Sequence, residues 1–256
     1  DVLPLRFLNL LTVSAEMFWN GLRLFRRGDV VFVVTNPPLL PLVIQRAARW
    51  RGAKTVLLIH DVYPEAMVAA GVVRHGGWLE RAISRSTREL YRRSDRICVL
   101  GEDMGRLVER KSPGVRPKIR VIPNWADLEL VRPSPESGRE FRSRHGLEGK
   151  FVLQYAGNMG RTHGLESVLE ASTRLRERDD IVFLFIGSGG KREWLRSQAR
   201  DRGLAGVRVL ETLPRSEQLA FLNGCDVAVI SFVPGMAGVS VPSRLYNVLA
   251  AGKPVL

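Results

Sequence analysis

Cysteine is almost absent from this sequence. Its 256 residues hold two, Cys98 and Cys225. Each lies in an apolar run, "RICVL" and "CDVAVI", so both read as buried strand thiols rather than as a disulfide. No Cys/His cluster has metal-ligand spacing, and no metal or cofactor is expected. No stretch reaches ~18 uninterrupted apolar residues, so no segment is expected to span a bilayer. The dinucleotide fingerprint is missing too: "IGSGGKREW" has Arg192 where its third glycine belongs. Acidic residues are scarce, 26 against 39 Lys and Arg, for a net charge of +13. Before Pro133 there are 22 basic against 13 acidic residues, or +9, and after it 17 against 13, or +4. Such an excess is either a solvated Arg-rich face or a surface for anions: a phosphorylated ligand or an acidic bilayer. Nucleic acid fits poorly, because neither a reading helix nor an aromatic platform accompanies the charge.

What is present is alternation. Residues 3–27 read as a long apolar helix ending at Arg26 and Arg27, either packed on a core or lying in a membrane interface. Then apolar strands ("DVVFVVT", "KTVLLIH", "DRICVL", "IRVIP") alternate with helical segments. Residues 123–138, "PNWADLELVRPSPESG", carry three prolines and no periodicity, and read as a hinge. The alternation restarts with "FVLQYAG", "IVFLFIG", "VRVLE" and "DVAVIS". Continuous apolar strands between helices predict parallel sheets covered on both faces. The expected organisation is an α/β chain of two Rossmann-like, doubly wound domains, 1–122 and 139–256, facing a cleft across the 123–138 hinge. Ligands of such sheets sit at the C-terminal ends of the strands. The sequence starts at Asp1 and stops at "KPVL", where Val255 and Leu256 read as the start of a strand. This predicts an internal piece of a longer protein, truncated in both domains.

Four loops after strands carry the chemistry. "HDVYPE" gathers His60, Asp61, Tyr63 and Glu65, where a plain turn would need only the Asp and Pro. "YAGNMGRTHG" places Asn158, Arg161 and His163 among three glycines that allow close backbone approach. "IGSGG" offers Gly187, Ser188 and Gly189 before a helix, an anion or hydroxyl cradle. "GVSVPSRLYNVLAAG" puts Ser240 and Ser243 at or just before a helix N-terminus, with Gly252 as its stop. Each has an ordinary structural reading as a turn or a cap. Together they suggest a diphosphate bound near Ser243 with Arg161 as its cationic partner.

The ordered set "HDVYPE", "VIPNW", "YAGNMG", "IGSGG", "DVAVISF" and "VPSRLYNVLAAGKPV" resembles bacterial family-4-type retaining glycosyltransferases of the GT-B fold. The likeness is greatest to the O-antigen, capsule and exopolysaccharide branch, N-acetyl-fucosaminyl transferases included, and covers nearly the whole chain. The resemblance implies transfer of a sugar, with retention, from a nucleotide-diphosphate-sugar donor to a hydroxyl of a lipid-linked glycan, without a metal. A UDP-linked amino or deoxy hexose is the implied donor. It also implies a peripheral enzyme on the cytoplasmic face of an anionic membrane. By matched position, Asn158, His163, Gly187, Ser188, Gly189, Leu213, Ser240, Ser243 and Asn247 would face the donor. His60, Asp61 and Arg161 would serve catalysis, with Tyr63 and Glu65 on the acceptor side. The chain departs from the family at four positions. Asn158 and His163 stand where an Arg and a Lys usually grip the diphosphate, and Val239 and Asn247 replace the Glu-x7-Glu pair. A GT-B epimerase and a non-catalytic membrane-surface scaffold are the competing expectations.

Overall fold

The computed structural model describes residues 3–38 and 40–256, with side chains described for 8–9, 11–38 and 40–256. It divides into two compact units, Asp1–Pro123 with Pro234–Val241, and Asn124–Val233 with Pro242–Leu256.

The first unit runs α1 (Leu3–Leu24), β1 (Val30–Val34), α2 (Leu40–Trp50), β2 (Lys54–Ile59), α3 (Glu65–Ala69), α4 (Trp78–Arg93), β3 (Arg96–Val99), α5 (Glu102–Lys111) and β4 (Ile119–Val121). Its four strands are parallel and lie in chain order, β1-β2-β3-β4. Helix α1 packs on α2: the Phe18 ring lies edge-on to that of Trp50 with centres 5.6 Å apart, and the buried Ser14 and Gly21 share its helical face. A Cβ at Gly21 would come within 3.0 Å of Ala47 Cβ, so glycine permits the close crossing. Among the helix's described side chains, Leu8, Leu11, Val13, Met17, Trp19 and Leu24 are exposed. Segment 234–241 joins this unit rather than the one its neighbours in sequence belong to. Asp61 and Ser240 form an antiparallel bridge, and Val62 N donates to Val239 O at 2.9 Å.

The second unit runs α6 (Pro135–Arg144), β5 (Phe151–Ala156), α7 (Leu165–Arg174), β6 (Ile181–Ile186), α8 (Arg192–Asp201), β7 (Val207–Leu210), α9 (Gln218–Gly224), β8 (Val227–Ala228) and α10 (Arg244–Ala250). The sheet order is β7-β6-β5-β8, all parallel, and Val255 adds a further parallel bridge to Ala228. Strand β6 shows why the sequence carries no alternation here. It is covered on both faces, and all but its first residue are buried. The chain moves from β5 to β6 and β7 on one side and returns to β8 on the other. The crevice beyond the C-terminal ends of β5 and β8 is therefore the topological switch point.

The expected hinge at 123–138 behaves differently beyond Pro123. From Asn124 the chain belongs to the second unit, and Val131 is fully buried in its core. The Asn223 amide clamps the segment: Ser134 N donates to Oδ1 at 2.7 Å, and Nδ2 donates to Arg132 O at 3.0 Å. Helix α6 was hidden by its breakers. Pro135 is compatible with a first helical turn. Gly138 lies where a Cβ would come within 2.5 Å of Asn223 O, so it is a packing glycine.

Candidate functional site

A cavity of about 420 Å³ opens in the second unit at this switch point. Its walls come from the ends of β5, β6 and β8, the loop after β7 and the start of α10. Two glycine loops make its floor compact. Gly157 and Gly187 both have φ of +138°, and a Cβ on Gly187 would come within 2.2 Å of Gly157 O. The two loops are also stitched by Met159 N donating to Ser188 O at 2.7 Å. Only glycine serves here, on conformation and on space.

The cation in this cavity is Arg244. Its guanidinium carbon stands 4.4 Å from the centre of the Tyr155 ring, a cation–π contact. Nη2 is 2.9 Å from His163 Nε2. A guanidinium can only donate, so Nε2 accepts and His163 is neutral. Burial first, and then the Arg244 charge, push the His163 pKa down to about 4. His163 also stacks on Phe232, ring centres 5.4 Å apart. Arg244 is thus held on two sides by groups that leave its charge uncancelled. Its Nη1 is buried and has no partner. A buried, charged donor without an acceptor is costly unless something supplies one. Deeper in the lining, both amide atoms of Gln154 are likewise buried and unpartnered.

Asn158, Gly187, Ser188, Leu213, Ser243 and Asn247 line the cavity as well. His163 reaches it through Arg244. Gly189 sits just outside, where a Cβ would come within 2.6 Å of Asn158 Oδ1. Ser240 does not line it, being bridged to Asp61 in the first unit. Arg161 does not line it either; it is an exposed loop residue. Ser243 is not a side-chain cap: its backbone is already helical, φ −57° and ψ −28°, and its hydroxyl makes no capping bond. Helix α10 has seven residues, too few for its dipole to carry an anion site alone. Gly252 does stop the helix, at φ +68°, with its N–H donating to Leu249 O at 2.9 Å. The sequence did carry signals for the residues overlooked. Arg244 directly follows Ser243, and Gln154 is the one polar residue inside an apolar strand.

In the first unit, the loop after β2 carries His60, Asp61, Tyr63 and Glu65. Thr35 Oγ1 accepts from His60 N at 3.0 Å and from Asp61 N at 3.3 Å, which fixes the strand end. Burial, with help from the Asp61 charge, raises the Tyr63 pKa to about 12. Glu65 is turned inward. Lys111 Nζ donates to both its carboxylate oxygens at 2.5 Å and to Tyr63 O at 2.9 Å. Burial lowers the Lys111 pKa, and the Glu65 hydrogen bond opposes that. Among the described residues, no three His, Cys, Asp or Glu side chains gather as a ligand set.

Comparison with known proteins agrees across the chain. Residues 2–125 match a family described as "Glycosyl transferase 4-like domain", and residues 138–256 match "Glycosyl transferases group 1". The chain is 37% identical over 231 residues to a Pseudomonas aeruginosa protein named "Probable glycosyltransferase WbjE", covering 90% of this chain and 57% of that one. It therefore spans little more than half the length of that relative. The crystal structure of Anabaena HepE in complex with UDP and glucose superposes with a TM-score of 0.75 at 16% identity, over 95% of this chain and 62% of HepE. That of WaaG, described as a glycosyltransferase involved in lipopolysaccharide biosynthesis, superposes at 0.62 and 17% identity, over 86% of this chain and 63% of WaaG. These two likenesses show the GT-B fold.

Proposed function

Because the chain belongs to the glycosyltransferases that join a 4-like domain to a group 1 domain, we propose that it transfers a sugar from a nucleotide-diphosphate donor to a hydroxyl of a lipid-linked glycan. The setting is the synthesis of bacterial cell-surface polysaccharide. The observation that carries this reading is the unpartnered, buried Nη1 of Arg244 in a cavity at the switch point. That atom lacks an anion, and the leaving diphosphate supplies one. HepE, of the same fold, has been crystallised with UDP and with UDP-glucose, which favours a UDP-linked donor.

In this reading, breaking the bond from the sugar to the diphosphate moves negative charge onto the phosphate oxygens. Arg244 faces that charge from a fixed position and is stronger there than in water. His163, being neutral, orients the guanidinium without competing for its charge. Arg244 thus takes the place assigned to Arg161 on sequence grounds. Gly157 and Gly187 let the backbone come close to the phosphates. Asn247 stands where the family has a carboxylate and offers its amide to a ribose or sugar hydroxyl. In a front-face, retaining route the departing phosphate takes the acceptor's proton. Asp61 and His60 then only orient the acceptor hydroxyl, and Glu65, held by Lys111, shapes the loop. A panel of UDP-, GDP- and ADP-sugars offered with a lipid-linked acceptor, with product mass measured, tests the reading. Transfer from a UDP-sugar is expected. Failure of every donor to bind would leave a scaffold.

A further inference from the structure

One polar side chain of the second unit's cavity has no part in holding a diphosphate. Gln154 sits on β5, inside the sheet, between Leu184 of β6 and Ala228 of β8. It is 1% exposed, and neither its Oε1 nor its Nε2 has a hydrogen-bond partner among the described residues. Alternation along the strand puts it on the face of Val152, opposite Tyr155. Val152, Leu184 and Ala228 are buried in one apolar core. A leucine would pack there at no polar cost, whereas an unpaired amide loses its water hydrogen bonds and regains nothing. Folding therefore does not account for this glutamine. The cavity does, because Gln154 lines it.

Arg244 marks the other end of the cavity. A Cβ at Gly157 would stand 3.1 Å from its guanidinium carbon, so the cation lies just beyond the end of β5. Gln154 is three residues further back, roughly 10 Å along a strand. In a nucleotide-diphosphate-sugar the ribose and the transferred sugar are each bonded directly to a phosphate, so both fall near the arginine. The base is the part that lies farther off. The walls agree. On the Val152 face the cavity is lined by Leu213, Phe221, Leu222 and Val248. These apolar and aromatic side chains suit a flat ring and offer a polyhydroxyl group nothing to bond.

We infer that Gln154 recognises the base of the donor nucleotide, its amide pairing with the imide edge of uracil. The inference rests on the donor reading above and makes it specific. A carboxamide offers a donor and an acceptor side by side. The uracil edge answers with its N3–H and a neighbouring carbonyl oxygen, so one flat pair satisfies both buried atoms. A base lacking such an edge leaves the amide buried and unpaired, which is where the discrimination comes from.

The test measures calorimetric binding to the whole chain of UDP, UDP methylated at N3, 2′-deoxy-UDP and inorganic pyrophosphate. Methylation removes the N3 donor and sets a methyl group against the amide, so the affinity of the unmodified chain should fall about tenfold or more. Gln154→Leu should lower UDP affinity about tenfold and leave pyrophosphate affinity unchanged. In that variant the N3 methyl should make less than about a twofold difference, since the group that sensed it is gone. A residue that only shaped the strand would weaken UDP and pyrophosphate alike and keep the methyl penalty. The methylated ligand binding the unmodified chain as tightly as UDP would overturn the inference, and this arm decides even if Gln154→Leu does not fold. A 2′-deoxy penalty that disappears in Gln154→Leu would overturn it too, by placing the amide on the ribose. Both outcomes leave the donor reading standing. Failure of UDP and pyrophosphate alike to bind the unmodified chain would overturn the donor reading and this inference together.

Discussion

At the scale of single residues, the account turns on Arg244 and His163. A preorganised donor facing a developing oxyanion is worth about 3 kcal/mol. Arg244→Ala should therefore lower kcat on the order of a hundredfold or more. Arg244→Lys should restore only part of it, since a point charge cannot both contact His163 and present a second fork. The His163 pKa of about 4, against an ordinary 6.5, has a separate consequence. Between those values the unfolded chain binds a proton that the folded chain does not. Stability contributed by the neutral ring is present above pH 6.5 and is lost as the pH falls toward 4. The thermal midpoint should drop over that interval, and His163→Gln should make the drop smaller. An equal drop in the variant would mean that other groups carry it.

At the scale of elements, Lys111 and Ser243 make contrasting cases. Lys111 ties the end of α5 to the start of α3, with its side chain 9% exposed against 32% for Glu65. Removing one partner of a buried pair strands the other, and with Glu65 partly screened Lys111→Met should cost roughly 2 kcal/mol in denaturant unfolding. Ser243→Ala, by contrast, should change stability by less than about 0.5 kcal/mol, because no capping bond is present to lose. These cases also mark how far the sequence can be read. Strand β6 was legible because a parallel strand buried on both faces is written as an unbroken apolar run, "IVFLFI". The glycine loops were legible because only glycine fits where Gly157 and Gly187 meet. Helix α6 was not, since Pro135 and Gly138 break a helix in general and suit one here for local reasons. The sequence reading chose Arg161 and overlooked Arg244. That the arginine opening α10 rather than the loop arginine points inward depends on the Tyr155 ring and on His163, contributed by distant positions. Nor does local sequence show that 234–241 belongs with the first unit, a property of the contacts that Asp61 and Val62 make with Ser240 and Val239.

At the scale of the whole molecule, the charge of +9 before Pro133 and the exposed apolar side chains of α1 bear on where the protein works. No helix among the described residues is long and apolar enough to cross a membrane. Each Lys or Arg close to an anionic surface contributes about 1 kcal/mol, so a few are enough for reversible attachment. The protein should sediment with vesicles containing phosphatidylglycerol at low salt and be released by salt above the screening range. Equal sedimentation with zwitterionic vesicles would assign the attachment to α1's apolar side chains instead of to charge. The central claim, however, is that the cavity of the second unit holds a nucleotide diphosphate against Arg244. The most direct measurement is calorimetric binding of UDP and UMP to the protein and to Arg244→Ala. The account predicts that UDP binds the protein more tightly than UMP, and that the substitution lowers UDP affinity more than tenfold, about 1.4 kcal/mol, while UMP affinity changes little. UDP binding that survives Arg244→Ala unchanged would contradict it.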